Sequence, residues 1–112
     1  HREPRKPAAP PSVIDRVLAL AAAALGSTSR LVRSPSRLSR HVAARWVALS
    51  VLRGMGLSLP ACGRAVGLRD HTTVLHALRA IKERPDLQAA AARVTEQMLS
   101  ESSTTVAAQE AA

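Results

Sequence analysis

Four consecutive residues, Arg69 to Thr72, have side chains that could contact the edges of nucleic-acid bases. Arginine donates to guanine or phosphate, aspartate accepts from the cytosine amino group, histidine can bond to base edges, and the threonine methyl group fits thymine. An apolar stripe follows at helical spacing, formed by Val74, Ala77, Leu78 and Ile81. The polar run therefore lies at the N-terminus of an amphipathic helix, where the peptide dipoles also attract phosphate.

A second short helix is predicted just before this one. Ser58 can cap it, and Pro60 lies in its first turn. Proline is tolerated there because N–H groups of the first turn have no acceptor within the helix. Gly67 breaks the helix and starts a tight turn. Two short helices around such a turn are typical of a helix-turn-helix, whose second helix enters the major groove. The recognition helix is therefore predicted over residues 70–83.

The same segment resembles the C-terminal DNA-binding domain of the bacterial replication initiator DnaA. The resemblance rests on Ser-Leu-Pro at residues 58–60, Gly-Arg-Ala-Val-Gly at residues 63–67 and Arg-Asp-His-Thr-Thr-Val-Leu-His-Ala at residues 69–77. Weaker similarity extends over residues 12–100. It implies a helix-turn-helix domain that binds double-stranded DNA as a monomer and reads a short AT-rich site, the DnaA box, in both grooves.

The resemblance also assigns DNA contacts to individual residues. Base edges are contacted in the major groove by Asp70, His71 and Thr72, and in the adjacent minor groove by Arg37. The sugar-phosphate backbone is contacted by a larger set: Arg45, Arg53, Leu59, Pro60, Arg69, Thr73 and His76. Leu59 and Pro60 act through main-chain groups at a helix N-terminus.

The sequence departs from this family at several positions. Trp46 stands where a polar residue near the phosphates is common, which leaves it either in the core or over the DNA backbone. Pro35 interrupts the basic loop (residues 33–38) that carries Arg37. The chain also has no Gly-rich phosphate loop followed by Lys-Ser or Lys-Thr. We therefore expect no nucleotide ligand and no ATPase module within these residues.

Charge is distributed unevenly along the 112 residues, which carry a formal net charge of +8. Residues 1–85 have a net charge of +11, whereas residues 86–112 have a net charge of −3. A basic region beside an acidic tail suits a polyanion such as nucleic acid, although excess arginine can also simply maintain solubility. His41, in the most basic stretch, is expected to face solvent or phosphate.

Composition favours an all-α fold. Alanine supplies 22 residues and leucine is abundant, and both are strong helix formers. We predict a compact bundle of about five to six helices over residues 12–100, between a flexible, basic, Pro-rich leader (residues 1–11) and a flexible tail (residues 101–112). In the helix predicted from Ser39, the apolar face is assigned to Val42, Trp46, Leu49 and Leu52.

Other chemistries find little support in the residues. No catalytic arrangement, metal site or cofactor is expected, because His71 and His76 lie on different faces of a helix and Cys62 is the only thiol. The longest apolar run, Val17 to Leu25, is nine residues and too short to cross a membrane as a helix. We expect a cytoplasmic, nucleoid-associated protein in a reducing compartment.

Three alternatives to a stand-alone regulator of transcription or replication remain at this point. The chain could be a plasmid or phage replication factor. The chain could be a domain excised from a full replication initiator. The helix-turn-helix could instead serve as a protein-interaction module, using Leu68 and Leu75 near the recognition helix. A protein partner could also dock on the apolar face of the last helix, formed by Leu87, Ala91, Val94 and Met98.

Overall fold

The described residues of this computed structural model are 11–68 and 70–111, with residues 11, 12, 71 and 102–111 described by their backbone alone. They form six α-helices and contain no strand, which confirms the predicted all-α bundle. The helices are α1 (Pro11–Leu25), α2 (Ser29–Val32), α3 (Ser39–Gly54), α4 (Leu59–Ala65), α5 (His71–Ile81) and α6 (Pro85–Ala111). None of them combines the length and the apolar character that a membrane-crossing helix needs.

Helix α3 is the centre of the bundle and contacts each of the other five helices. Consequently its buried residues do not form one stripe. Leu49 and Leu52 are buried as predicted, whereas Val42 and Trp46 are only half-buried, with Trp46 packed against the core. A helix surrounded on several sides buries residues around most of its circumference, and a search for one apolar face cannot describe it.

Side-chain caps begin three of the helices. The hydroxyl of Thr28 accepts from the Leu31 N–H at 3.2 Å, and that of Ser58 accepts from the Ala61 N–H at 3.2 Å. The Asp70 carboxylate accepts from the Thr72 N–H at 2.9 Å. The predicted caps at Ser58 and Asp70 are therefore confirmed, and each satisfies an N–H group that lacks a partner within its helix.

Helix α6 continues through residues 101–111, where the sequence predicts a flexible tail. The flexibility of that segment and of the leader stays a prediction; residues 1–10 lie outside the described part. Near the start of this stretch, the Arg16 guanidinium makes a bidentate pair with the Glu101 carboxylate, with an Nη2–Oε2 distance of 2.5 Å. This pair links α1 to the C-terminal half of α6.

The turn after α4 passes very close to the basic loop. Gly67 has a positive φ of +79°, and a Cβ atom at this position would lie 2.7 Å from the backbone carbonyl oxygen of Arg33. Two independent constraints thus require glycine here: the left-handed backbone conformation and the absence of space for a side chain.

Gly67→Ala is expected to destabilise the fold by more than the cost of a positive φ, about 1–2 kcal/mol, because the new methyl group also meets a backbone atom that cannot move alone. The matched control is Gly26→Ala, since Gly26 has a φ of +72° but no heavy atom within 4 Å of the added Cβ. Urea unfolding of both variants measures the difference. Equal destabilisation would show that the close approach to Arg33 is absent.

The Arg16 guanidinium lowers the pKa of Glu101 from 4.5 to about 2, mainly through their hydrogen bonds. The Glu101 carboxyl group therefore binds its proton less tightly in the folded protein than in the unfolded chain. The ion pair stabilises the folded protein fully above about pH 4.5, and this stabilisation is lost as the pH falls towards 2. Thermal unfolding between pH 6 and 2 should show a smaller loss of stability in Glu101→Gln. Glu96→Gln, an exposed change on the same helix, should retain the wild-type pH dependence.

Candidate nucleic-acid interface

Helix α5 presents a polar face to solvent and an apolar face to the core. Val74, Ala77 and Ile81 are at most 5% exposed, whereas Thr72 and His76 are exposed. This division agrees with the predicted orientation of the recognition helix. Thr73 and Arg79 are also exposed. Arg69 and the side chain of His71 lie outside the described part of the structure.

Helix α4 braces α5 through close backbone packing. The Leu68 N–H donates to the Gly63 carbonyl oxygen at 2.7 Å, which closes the end of α4. A Cβ atom on Gly63 would lie 3.2 Å from the Leu68 carbonyl oxygen and 3.4 Å from the Val74 side chain. Cys62 is fully buried beside this contact, and burial raises the pKa of its thiol. The two helices thus form the compact pair that a helix-turn-helix requires.

Leu59 and Pro60, the residues predicted to reach phosphate through the main chain, are the first two residues of α4. Leu59 is half-buried and Pro60 is exposed. Their position at the N-terminus of α4 is therefore as predicted, with the Ser58 cap directly before them.

An open groove lies between the basic loop, the N-terminal half of α3 and the segment that joins α5 to α6. It has a volume of about 320 Å³ and is lined by Arg37, Ser39, Val42, Ala43, Trp46 and Arg84. The half-buried Trp46 ring meets the His76 ring edge-on, with 6.2 Å between the centroids and 80° between the planes. Such T-shaped pairs are favourable, so Trp46 supports the position of a predicted backbone contact. Arg37 is exposed and is one of the lining residues.

A second groove, of about 500 Å³, lies between the C-terminal part of α3 and α5. Its lining includes Leu75 and Leu78 together with three cations, Arg53, Arg79 and Lys82. Arg53 is exposed, and its Nη1 donates to the Leu57 carbonyl oxygen at 2.8 Å. Leu75 and Leu68 are both half-buried, and the protein-interaction alternative stays a prediction.

Arg45 has a role that the sequence does not reveal. It is only 9% exposed, and its Nε donates to the Val32 carbonyl oxygen at 2.8 Å. Its Nη2 lies within 3.5 Å of three more carbonyl oxygens, those of Leu31, Ser34 and Ser36. Burial lowers the pKa of this guanidinium, which nevertheless stays charged. A phosphate contact by Arg45 stays a prediction, but much of its donor capacity serves the protein itself.

His41 is also buried, contrary to the expectation that it faces solvent or phosphate. It is 3% exposed, and its Nδ1 lies 2.6 Å from the Ser27 hydroxyl oxygen. No local sequence signal distinguishes it from an exposed histidine, because its burial depends on how α1 and its loop cover α3. Within residues 11–68 and 70–111, no three His, Cys, Asp or Glu side chains are grouped as metal ligands.

The contribution of the Asp70 cap to the stability of α5 can be tested directly. Asp70→Ala should reduce the free energy of unfolding by about 1 kcal/mol, because the N-terminal N–H groups of α5 lose their acceptor. Asp70→Asn should retain most of the stability, since asparagine is an equally good cap. Thermal unfolding without DNA measures both, and equal losses in the two variants would contradict the role of the cap.

Two comparisons with known proteins agree with this architecture. The sequence profile of a family described as the bacterial DnaA protein helix-turn-helix matches residues 14–81. A crystal structure of a DNA replication initiation factor has a similar fold, with a TM-score of 0.72 and 23% sequence identity. The match covers 81% of this chain and 29% of that one, so the chain spans less than a third of its length. The chain belongs to the bacterial DnaA helix-turn-helix family and is a DNA-binding module of that family.

Proposed function

We propose that the domain binds double-stranded DNA as a monomer at specific sites of the DnaA-box type, with α5 in the major groove. The observation that carries this proposal is the position of Asp70 and Thr72, which are exposed at the N-terminus of a helix whose opposite face is buried. The first turn of such a helix is the part that reaches base edges in helix-turn-helix complexes.

Asp70, His71 and Thr72 would then read the base pairs. Asp70 uses Oδ1 to cap the helix, but a carboxylate has two oxygens and about four acceptor positions. In the proposed complex, one such acceptor position receives the cytosine amino group while Oδ1 keeps the cap. Thr72 offers a hydroxyl and a methyl group on the same exposed face.

The remaining predicted contacts would place the domain on the sugar-phosphate backbone. Thr73 and His76 lie on the exposed side of α5, and Arg53 lies at the groove next to it. Arg45, Leu59, Pro60 and Arg69 complete this predicted set, and Arg37 would enter the adjacent minor groove. Because such contacts release counterions, affinity should fall steeply with salt.

This function places the protein on the bacterial nucleoid, in the cytoplasm. We propose control of replication or transcription as its role, through occupancy of such sites near an origin or a promoter. The same residues would serve equally as the DNA-binding domain within a full initiator, because the proposed contacts involve no other domain.

The neighbouring threonines provide a matched test. Thr72→Ala should reduce discrimination between a duplex with a DnaA box and a scrambled duplex, by about 1–3 kcal/mol if it removes a good base contact. Thr73→Ala should weaken binding to both duplexes to a similar extent, because a phosphate contact carries no direct sequence information. Fluorescence anisotropy at several salt concentrations measures both effects. Equal wild-type affinity for the two duplexes at physiological salt would overturn the proposal of specific binding.

A further inference from the structure

We propose that Arg33 and Arg45 are positioning residues that hold the basic loop against the helix-turn-helix, so that Arg37 stands at a set distance from α5. The inference rests on the proposed function in one respect, the reading of DNA by Arg37. The guanidinium groups of Arg33 and Arg45 then bind groups within the protein, namely the backbone of the loop and neighbouring residues.

Arg45 holds the loop from the side of α3. Its guanidinium bonds to carbonyl oxygens at both ends of a six-residue stretch, from Leu31 to Ser36. The shortest of these bonds, from Nη2 to the Ser34 carbonyl oxygen, is 2.6 Å. A planar guanidinium can reach several carbonyl groups at fixed angles, which a lysine ammonium cannot reproduce. One side chain thereby sets the path of the loop.

Arg33 connects the same loop to two other elements. Its Nε donates to the carbonyl oxygen of Ala65, the last residue of α4, at 3.3 Å. Its Nη2 pairs with Asp15 of α1 at 2.5 Å. Its backbone carbonyl oxygen also lies so close to Gly67 that a Cβ atom there would be only 2.7 Å away. The loop is thus bound to the end of the first helix of the helix-turn-helix and to its turn.

Within the loop, serine hydroxyls replace the hydrogen bonds of regular secondary structure. The Ser34 hydroxyl donates to the Leu31 carbonyl oxygen at 2.7 Å and accepts from the Ser36 N–H at 3.2 Å. The Ser36 hydroxyl accepts from the Leu38 N–H at 3.3 Å. These short-range bonds shape the loop and connect it to α2, whereas the side-chain hydrogen bonds of Arg33 and Arg45 connect it to α4, α1 and α3.

Arg37 contrasts with both anchors. It is exposed, and its side chain makes no hydrogen bond or ion pair to the described residues. When the loop is already anchored, an exposed arginine on it can enter a narrow DNA groove without the entropic cost of ordering the loop backbone. Such preorganisation improves binding. If the anchors are lost, Arg37 keeps its charge but loses its defined position relative to α5.

The test combines Arg33→Gln with Arg37→Ala. In the wild type, Arg37→Ala should reduce discrimination between duplexes that differ by one A·T to G·C change at the minor-groove position. In the Arg33→Gln background, the loss of discrimination caused by Arg37→Ala should be smaller by about threefold or more, because the two residues are coupled. The control is Arg30→Gln, which removes the same charge from an exposed residue of α2. It should leave the effect of Arg37→Ala unchanged.

A second measurement needs no DNA and separates this inference from the proposed function. Amide hydrogen exchange of residues 34, 36 and 38 should be faster in Arg33→Gln and in Arg45→Lys, while amides of α5 keep their wild-type rates. Arg45→Lys retains the charge, so a residue that acts only as a phosphate cation would show no change in exchange. If Arg45→Lys does not fold, Arg33→Gln, a change at an exposed side chain, still decides the question.

Three outcomes would overturn the inference: unchanged exchange in the folded variants, exchange that accelerates equally in α5, or faster loop exchange with an unchanged effect of Arg37→Ala. If the wild type shows no dependence on Arg37 at all, the proposed minor-groove contact fails. In that case the exchange data still establish whether the two arginines anchor the loop.

Discussion

The close approach of Gly67 to the carbonyl group of Arg33 is the constraint on which the arrangement of the interface depends. It brings the turn of the helix-turn-helix and the basic loop into direct backbone contact, with no side chain between them. Two segments that are more than thirty residues apart in the chain thereby form one surface. The Arg33 side chain, bonded to the Ala65 carbonyl oxygen, reinforces the contact from the same residue. Neither segment could set this geometry alone, because both are short and lack regular secondary structure.

Helix α3 provides the frame for this contact. It touches every other helix and carries both a compact apolar core and two buried polar residues, His41 and Arg45. The core contains no phenylalanine or tyrosine, so small side chains such as Ala44 and Ala48 bring the helices close together. The buried polar residues use their hydrogen bonds to orient the loops at one end of α3. Packing and loop position are therefore determined by the same helix.

The arginines of this protein have two different uses, although their charges are identical. Arg45 and Arg33 are bonded to carbonyl groups and to Asp15, whereas Arg37 is exposed and Arg79 lines an open groove. Net charge attracts a polyanion over a distance whichever residues carry it. Contact with a groove or a phosphate requires donors that the fold leaves available. The positive charge of the chain therefore overstates how many arginines face a ligand.

Local features of the sequence determined the helices, their caps at Ser58 and Asp70, the break at Gly67 and the polar face of α5. Each of these depends on residues only a few positions apart, where capping geometry and helical spacing apply directly. The motif at residues 69–77 likewise identified the family. The burial of Arg45 and the position of Trp46 against His76 were decided only by the tertiary structure. These depend on which helices and loops cover α3, and such contacts join residues far apart in the chain, beyond the reach of local periodicity.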